Sequence, residues 1–285
     1  NASPLSDTYE IQFDYYTEML RFWDFYLKGI DNGIDEEPVC QYYTMGAKKW
    51  RSTDTWPLPE QEVNTFYFNA DNTLLKDSQY IEAGSITYVI DTTHTTGPST
   101  RWNSLTTIYR SGYTHYPDRR EESAKCLSFN LAPFEEDVEL TGHPIINLYM
   151  SANATDATVF VYIEDVEPDG TVNYVTEGQF RAVHRKVSNS EPPYVQAGPY
   201  HTFKREDAMP LIPGKVFNLK FDILPISYRF EKGHKLRVSI AGVDKGHFDR
   251  PEDMPTEFEI YFSPDYPSSI SLPFVEREEE GEAKN

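Results

Sequence analysis

Stretches in which apolar and polar residues alternate one by one restrict the folding of this chain more than any other feature. Phe217, Leu219, Phe221 and Ile223 alternate with Asn218, Lys220 and Asp222; Leu236, Val238 and Ile240 alternate with Arg237 and Ser239. Phe258, Ile260 and Phe262 do the same around Glu259 and Tyr261. A period of two gives a strand one apolar face, as in an antiparallel sheet covered on one side. Further strands are predicted over 39–44, 65–69, 86–91, 125–131, 145–151, 157–166, 179–187 and 269–274. Pro168-Asp169-Gly170, Pro213-Gly214 and Lys232-Gly233 supply turns between strands. Many short strands with hardly any helix predict a mainly β chain folded as a β-sandwich or jelly roll.

The N-terminal end breaks this pattern. Ser6 or Asp7, with Glu10 completing a capping box, starts a helix expected to run from about Asp7 to Lys28 and to stop at Gly29. Its apolar residues, from Ile11 to Leu27, cover most of the circumference, which is the pattern of a helix buried in something large. Two readings stand at this point: the helix packs on the domain after it, or it joins that domain to another. The division expected is a helix over 1–30, a β domain over 31–275 and an acidic, disordered tail over 276–285.

Composition removes several function classes. With 26 Lys+Arg against 46 Asp+Glu the net charge is −20, so nucleic-acid binding, which depends on cations neutralising phosphates, is not expected. An aromatic fraction of 14% argues against wholesale disorder, and no apolar run reaches the roughly 18 residues of a membrane span. The two cysteines, Cys40 and Cys126, read as plain buried thiols.

Signs of chemistry are sparse. No G-x-S-x-G nucleophile elbow occurs; Gly97-Pro98-Ser99-Thr100-Arg101 lacks the second glycine. The seven histidines form no H-E-x-x-H pair, the carboxylates follow no calcium-loop spacing, and no glycine-rich phosphate cradle is present. No catalytic residue, cofactor or metal is therefore expected in this chain. His143 and His234 read as hydrogen-bonding turn residues. What remains is a set of loop aromatics, of which Trp102, Tyr109, Tyr113 and His115 are candidates for a ligand loop.

Several ordered strings resemble one family. Leu20-Arg21-Phe22-Trp23-Asp24-Phe25-Tyr26-Leu27-Lys28-Gly29, Met45-Gly46 with Trp50-Arg51, and Trp56-Pro57-Leu58-Pro59 are similar to segments of the X-prolyl dipeptidyl peptidase / cocaine esterase family of serine hydrolases. So are 134–142, Val175-Thr176-Glu177-Gly178-Gln179-Phe180-Arg181, the run 227–238, and Phe248-Asp249-Arg250, where Pro251 replaces a frequent Asn. The resemblance implies a C-terminal, non-catalytic jelly roll of the galactose-binding-like type. It implies an α/β-hydrolase catalytic domain as partner, docked on the helix through Phe22, Trp23 and Tyr26, and a role in shaping its substrate entrance. None of the family's catalytic serine, aspartate and histidine is matched here, so the chain alone is expected to be inactive. Two alternatives accompany this reading: a free-standing carbohydrate-binding module using the aromatic loops, and a homo-oligomer formed through the bare helix face.

Overall fold

The alternating segments become strands in the computed structural model, which describes residues 14–98, 100–103, 116–251 and 253–277. After helix α1 (Tyr15–Lys28) come β1 (Cys40–Thr44), β2 (Lys49–Thr53), β3 (Glu62–Phe68), β4 (Leu74–Leu75) and β5 (Gly84–Val89). A one-turn helix α2 (Arg120–Ser123) precedes β6 (Leu127–Asn130), β7 (Val138–Gly142), β8 (Ile145–Ala152), β9 (Thr158–Val166) and β10 (Val172–Arg181). The chain closes with β11 (Phe217–Asp222), β12 (Ile226–Phe230), β13 (Lys235–Ala241), β14 (Glu257–Phe262) and β15 (Ser269–Val275).

Two antiparallel sheets form a jelly-roll-like β-sandwich. The smaller has the order β10-β9-β13-β6, and the larger runs β12-β7-β15-β8-β14-β5, with β11 also paired to β8, β3 to β15, and β4 to β3. Between them Val159, Val161 and Ile163 of β9 and Leu236, Val238 and Ile240 of β13 share one core with Ile146, Leu148 and Met150 of β8 and Phe258, Ile260 and Phe262 of β14. Each such side chain contributes roughly 1.5–3 kcal/mol when removed fully from water. Phe68 of β3 stacks on Phe129 of β6 with centroids 4.4 Å apart, linking the sheets. The ribbon β1–β2 stands apart and is joined to the large sheet by a parallel bridge from Met45 to Tyr228.

The structure changes some boundaries. Helix α1 starts after Asp14, whose carboxylate accepts from the Thr17 N–H at 3.1 Å and its hydroxyl at 2.6 Å; the expected start near Asp7 lies outside the described residues. Its end agrees: Gly29 takes φ of +66°, a left-handed cap that glycine adopts without strain. The strand expected over 179–187 instead spans 172–181, because a bulge at Val175 interrupts the alternation and the chain turns into a 3-10 turn at Ala182. In the expected acidic tail, Arg277 is not loose: it donates to Glu139 and Glu60, each at 3.1 Å, and to the Tyr42 hydroxyl at 3.0 Å. Residues 278–285 lie outside the described residues. Cys40 and Cys126 are both free and half-buried.

Candidate functional site

A half-buried sheet should have a wet outer face, yet β9 is buried on both sides. Its outward residues Phe160, Tyr162 and Glu164 are covered by two arms of chain, 91–98 with 100–103 and 116–126, and by Phe248. Covering a carboxylate in this way requires a cation, and Arg119 supplies it. Its Nε donates to Glu164 Oε1 at 3.0 Å, with both side chains almost wholly buried. The other oxygen, Oε2, accepts from Ser123 and Ser239 hydroxyls, both at 2.7 Å. The Arg119 guanidinium lies 5.0 Å from the Tyr162 ring centroid and 5.9 Å from that of Tyr174. Tyr116 stacks on Tyr174 at 3.9 Å and 4°, and its hydroxyl accepts the Arg101 backbone N–H at 3.1 Å.

The first arm is sewn down at its other end. Asp244 accepts the Thr96 N–H at 2.9 Å and the Thr96 hydroxyl at 2.8 Å, and His94 Nδ1 meets the Val243 carbonyl at 2.9 Å. A carbonyl only accepts, so Nδ1 carries the proton. Burial, ahead of the nearby Arg119 charge, holds the His94 pKa below its ordinary value. Glu177 moves the opposite way. Burial, reinforced by Asp244, raises its carboxyl above the usual range despite Arg101 and a hydrogen bond from the Trp102 side chain. Burial likewise raises the phenols of Tyr162 and Tyr174. The result is a packed polar platform that fixes both ends of the segment between Asn103 and Tyr116.

Trp102, one of the expected ligand-loop residues, sits at the edge of this platform, 37% exposed, edge-on to Phe248 at 5.1 Å. Tyr109, Tyr113 and His115 lie outside the described residues. On α1, Phe22, Trp23 and Tyr26 are exposed together. Phe22 packs against Trp23 at 5.0 Å and Tyr26 at 4.6 Å. The helix is tied to the acidic turn on its C-terminal side by the Arg21–Glu37 ion pair and by Asn32 Nδ2 donating to the Arg21 carbonyl at 2.9 Å. His234, expected as a turn residue, hydrogen-bonds Asp165 through Nδ1 at 2.9 Å.

The platform residues Arg119, Glu164, Glu177 and Asp244 were not singled out from sequence. The available signal was two carboxylates, Glu164 and Glu177, on the same sheet face as the aromatics Phe160, Tyr162 and Tyr174. Among the described residues, no group of three or more His, Cys, Asp or Glu is placed to hold a metal ion, and no helix is long and apolar enough to cross a membrane.

Comparison with known proteins agrees with this architecture. The chain is 42% identical over 275 residues to a Mycobacterium bovis protein that bears the name of a serine esterase, covering 96% of the chain and 43% of that protein. It is 25% identical over 293 residues to the cocaine esterase of a Rhodococcus species, covering 96% of the chain and 48% of the relative. The chain thus spans less than half the length of the curated relatives it matches. Its fold is shared with a solved CocE/NonD family hydrolase from Staphylococcus aureus, at a TM-score of 0.66 and 20% identity over 92% of this chain and 45% of that one. A solved aminopeptidase from a marine sediment archaeon (Thaumarchaeota) gives a TM-score of 0.69 at 21% identity, over 90% and 44% of the two chains. Residues 32–271 match the model of the X-Pro dipeptidyl-peptidase C-terminal non-catalytic domain, and the chain belongs to that family.

Proposed function

We propose that this chain serves a serine hydrolase as its C-terminal accessory domain, packing on an α/β-hydrolase catalytic domain and forming part of the wall of its substrate entrance. The observation that carries this reading is α1. Phe22, Trp23, Tyr26 and Leu27 lie bare on a helix that precedes the family domain, and so large an apolar surface is stable when covered by a partner. The platform supports the second half of the reading. It holds the arms around the aromatic segment rigidly, as a loop that shapes an entrance requires. The galactose-binding-like type of jelly roll belongs to the same proposal. Self-association through α1 is what the bare face would do when the catalytic domain is missing.

The carbohydrate-binding alternative has less support, because the Trp102 ring already packs T-shaped against Phe248 at 5.1 Å. The test is hydrolysis of a nitrophenyl ester and of an Xaa-Pro anilide. The 285-residue chain alone is expected to be inactive. The parent protein containing it is expected to be active and to lose most activity when Phe22, Trp23 and Tyr26 are all replaced by Ser. Turnover by the isolated chain, abolished by replacing a serine within it, would refute the proposal.

A further inference from the structure

A strand at the edge of a sheet pairs with any strand that reaches it, so folded proteins cover or blunt such edges. Four edges here are covered. Met45 accepts from Arg229 and donates to Ser227 along β12, and the Leu224 and Arg119 N–H groups reach the Glu177 and Val172 carbonyls of β10. Asn72 takes up Asn130 N–H and the Ser128 carbonyl on β6, and a ring nitrogen of His201 meets the Lys220 carbonyl of β11 at 2.9 Å.

Strand β5 is different. It ends the larger sheet, with β14 on one side. The Ile90 N–H to Thr256 carbonyl bond of 2.9 Å sets the phase of that pairing. Gly84, Ile86 and Tyr88 bond inward to Phe262, Ile260 and Phe258, so the N–H and C=O groups of Ser85, Thr87 and Val89 point away from β14. Among the described residues nothing takes up these groups. All three residues are exposed, Val89 at 70%. The strand Gly84-Ser85-Ile86-Thr87-Tyr88-Val89 also lacks the charges and proline that turn a partner away.

The spacing selects the partner. The free groups lie symmetrically about Thr87, so a second copy related by a two-fold axis presents the same set in the opposite order. Thr87 then stands opposite Thr87 and Ser85 opposite Val89, each opposed pair exchanging both its N–H···O bonds. Thr–Thr is a favourable cross-strand pair, and on the core side the half-buried Ile86 falls opposite Tyr88. Charge does not oppose this register locally. Asp91 falls opposite Ala83 and Glu82 opposite Thr92, and Glu259, beside Thr87 on β14, has its oxygens taken by the Ser85 and Tyr261 hydroxyls at 2.7 and 2.6 Å.

We propose that two copies of this chain pair antiparallel through β5, centred on Thr87, and extend the larger sheet across the dimer. The inference goes beyond the accessory-domain reading and does not depend on it. It is tested by sedimentation equilibrium of the 285-residue chain carrying Phe22→Ser and Trp23→Ser, which removes association through α1. Salt of about 0.5 M screens the repulsion between two chains of net charge −20. A monomer–dimer equilibrium with Kd below about 1 mM is expected. Thr87→Pro deletes the central outward N–H and leaves the bonds to β14 in place, and Thr87→Lys sets like charges opposite each other. Each is expected to weaken the dimer roughly tenfold or more, with melting temperatures within a few degrees of the parent. Thr87→Cys gives a readout tied to this seam. The opposed Cα atoms would lie about 5.5 Å apart, within disulfide reach, so diamide, which takes up the two thiol hydrogens, should cross-link the variant and not the parent with Cys40 and Cys126 alone. A monomer up to about 1 mM, a dimer unmoved by both Thr87→Pro and Thr87→Lys, or no cross-link gained by Thr87→Cys would overturn the proposal.

Discussion

Replacing Arg119 by Met leaves the Glu164 carboxylate buried without its cation, which costs about 3–5 kcal/mol. Replacing both, as Arg119→Met with Glu164→Leu, removes the stranded charge and is expected to recover a large part of that loss; urea unfolding of the two single variants and the double measures it. Equal destabilisation by single and double variants would mean that the ion pair is not what the platform rests on. Glu177 gives a pH-dependent counterpart. Its folded pKa is raised by burial and then by Asp244, so its contribution to stability is complete below the unfolded carboxylate value of about 4.3 and is lost as pH rises through the folded value. Glu177→Gln removes that loss. The stability gap between wild type and variant should therefore shift in the variant's favour from about pH 4 towards about pH 8, as read by thermal melts across that range. A gap that does not change with pH would show that Glu177 titrates as it does when unfolded.

Gly46 fixes how the ribbon of β1 and β2 meets the sandwich. It takes φ of +76°, and a Cβ there would lie 2.4 Å from the Arg229 carbonyl oxygen, beside the Met45 N–H to Ser227 carbonyl bond of 3.0 Å. Gly46→Ala should therefore cost about 1–3 kcal/mol and lower the melting temperature, whereas Gly170→Ala, also at positive φ but with open space around it, should cost less. Strands with one wet face, such as β11 and β14, were legible because their alternation is clean. Others were not, and the reason is physical. In β7, Glu139 and Thr141 look solvent-facing but are buried by Arg51 and Arg277 and by the Thr44–Ser227–Thr141 hydroxyl chain. In β10 the bulge at Val175 and the covering of both faces bury every residue from Tyr174 to Gly178, which erases the alternation. The platform was hidden for a related reason. Glu164 and Arg119 are separated by 45 positions, and no short-range pattern reports that an arm will close over a sheet face. Tyr116 and Trp102 were visible as loop aromatics, but their anchoring partners were not.

At the scale of the whole molecule, two sheets share one core, the outer arms cover the outer face of β9, and α1 carries a bare apolar face before the family domain. Each part makes sense if a larger body covers the helix and abuts the arms, and the family to which the chain belongs is defined by a non-catalytic role. On this reading α1 is the docking surface for that body. Sedimentation velocity of this chain mixed with the separately produced α/β-hydrolase domain proposed as its partner is the decisive experiment. A one-to-one complex is expected, and Trp23→Ser with Phe22→Ser should abolish it while the melting temperature of the chain stays within a few degrees of wild type. A complex that survives those substitutions, or two species that never associate, would contradict a docking role for α1.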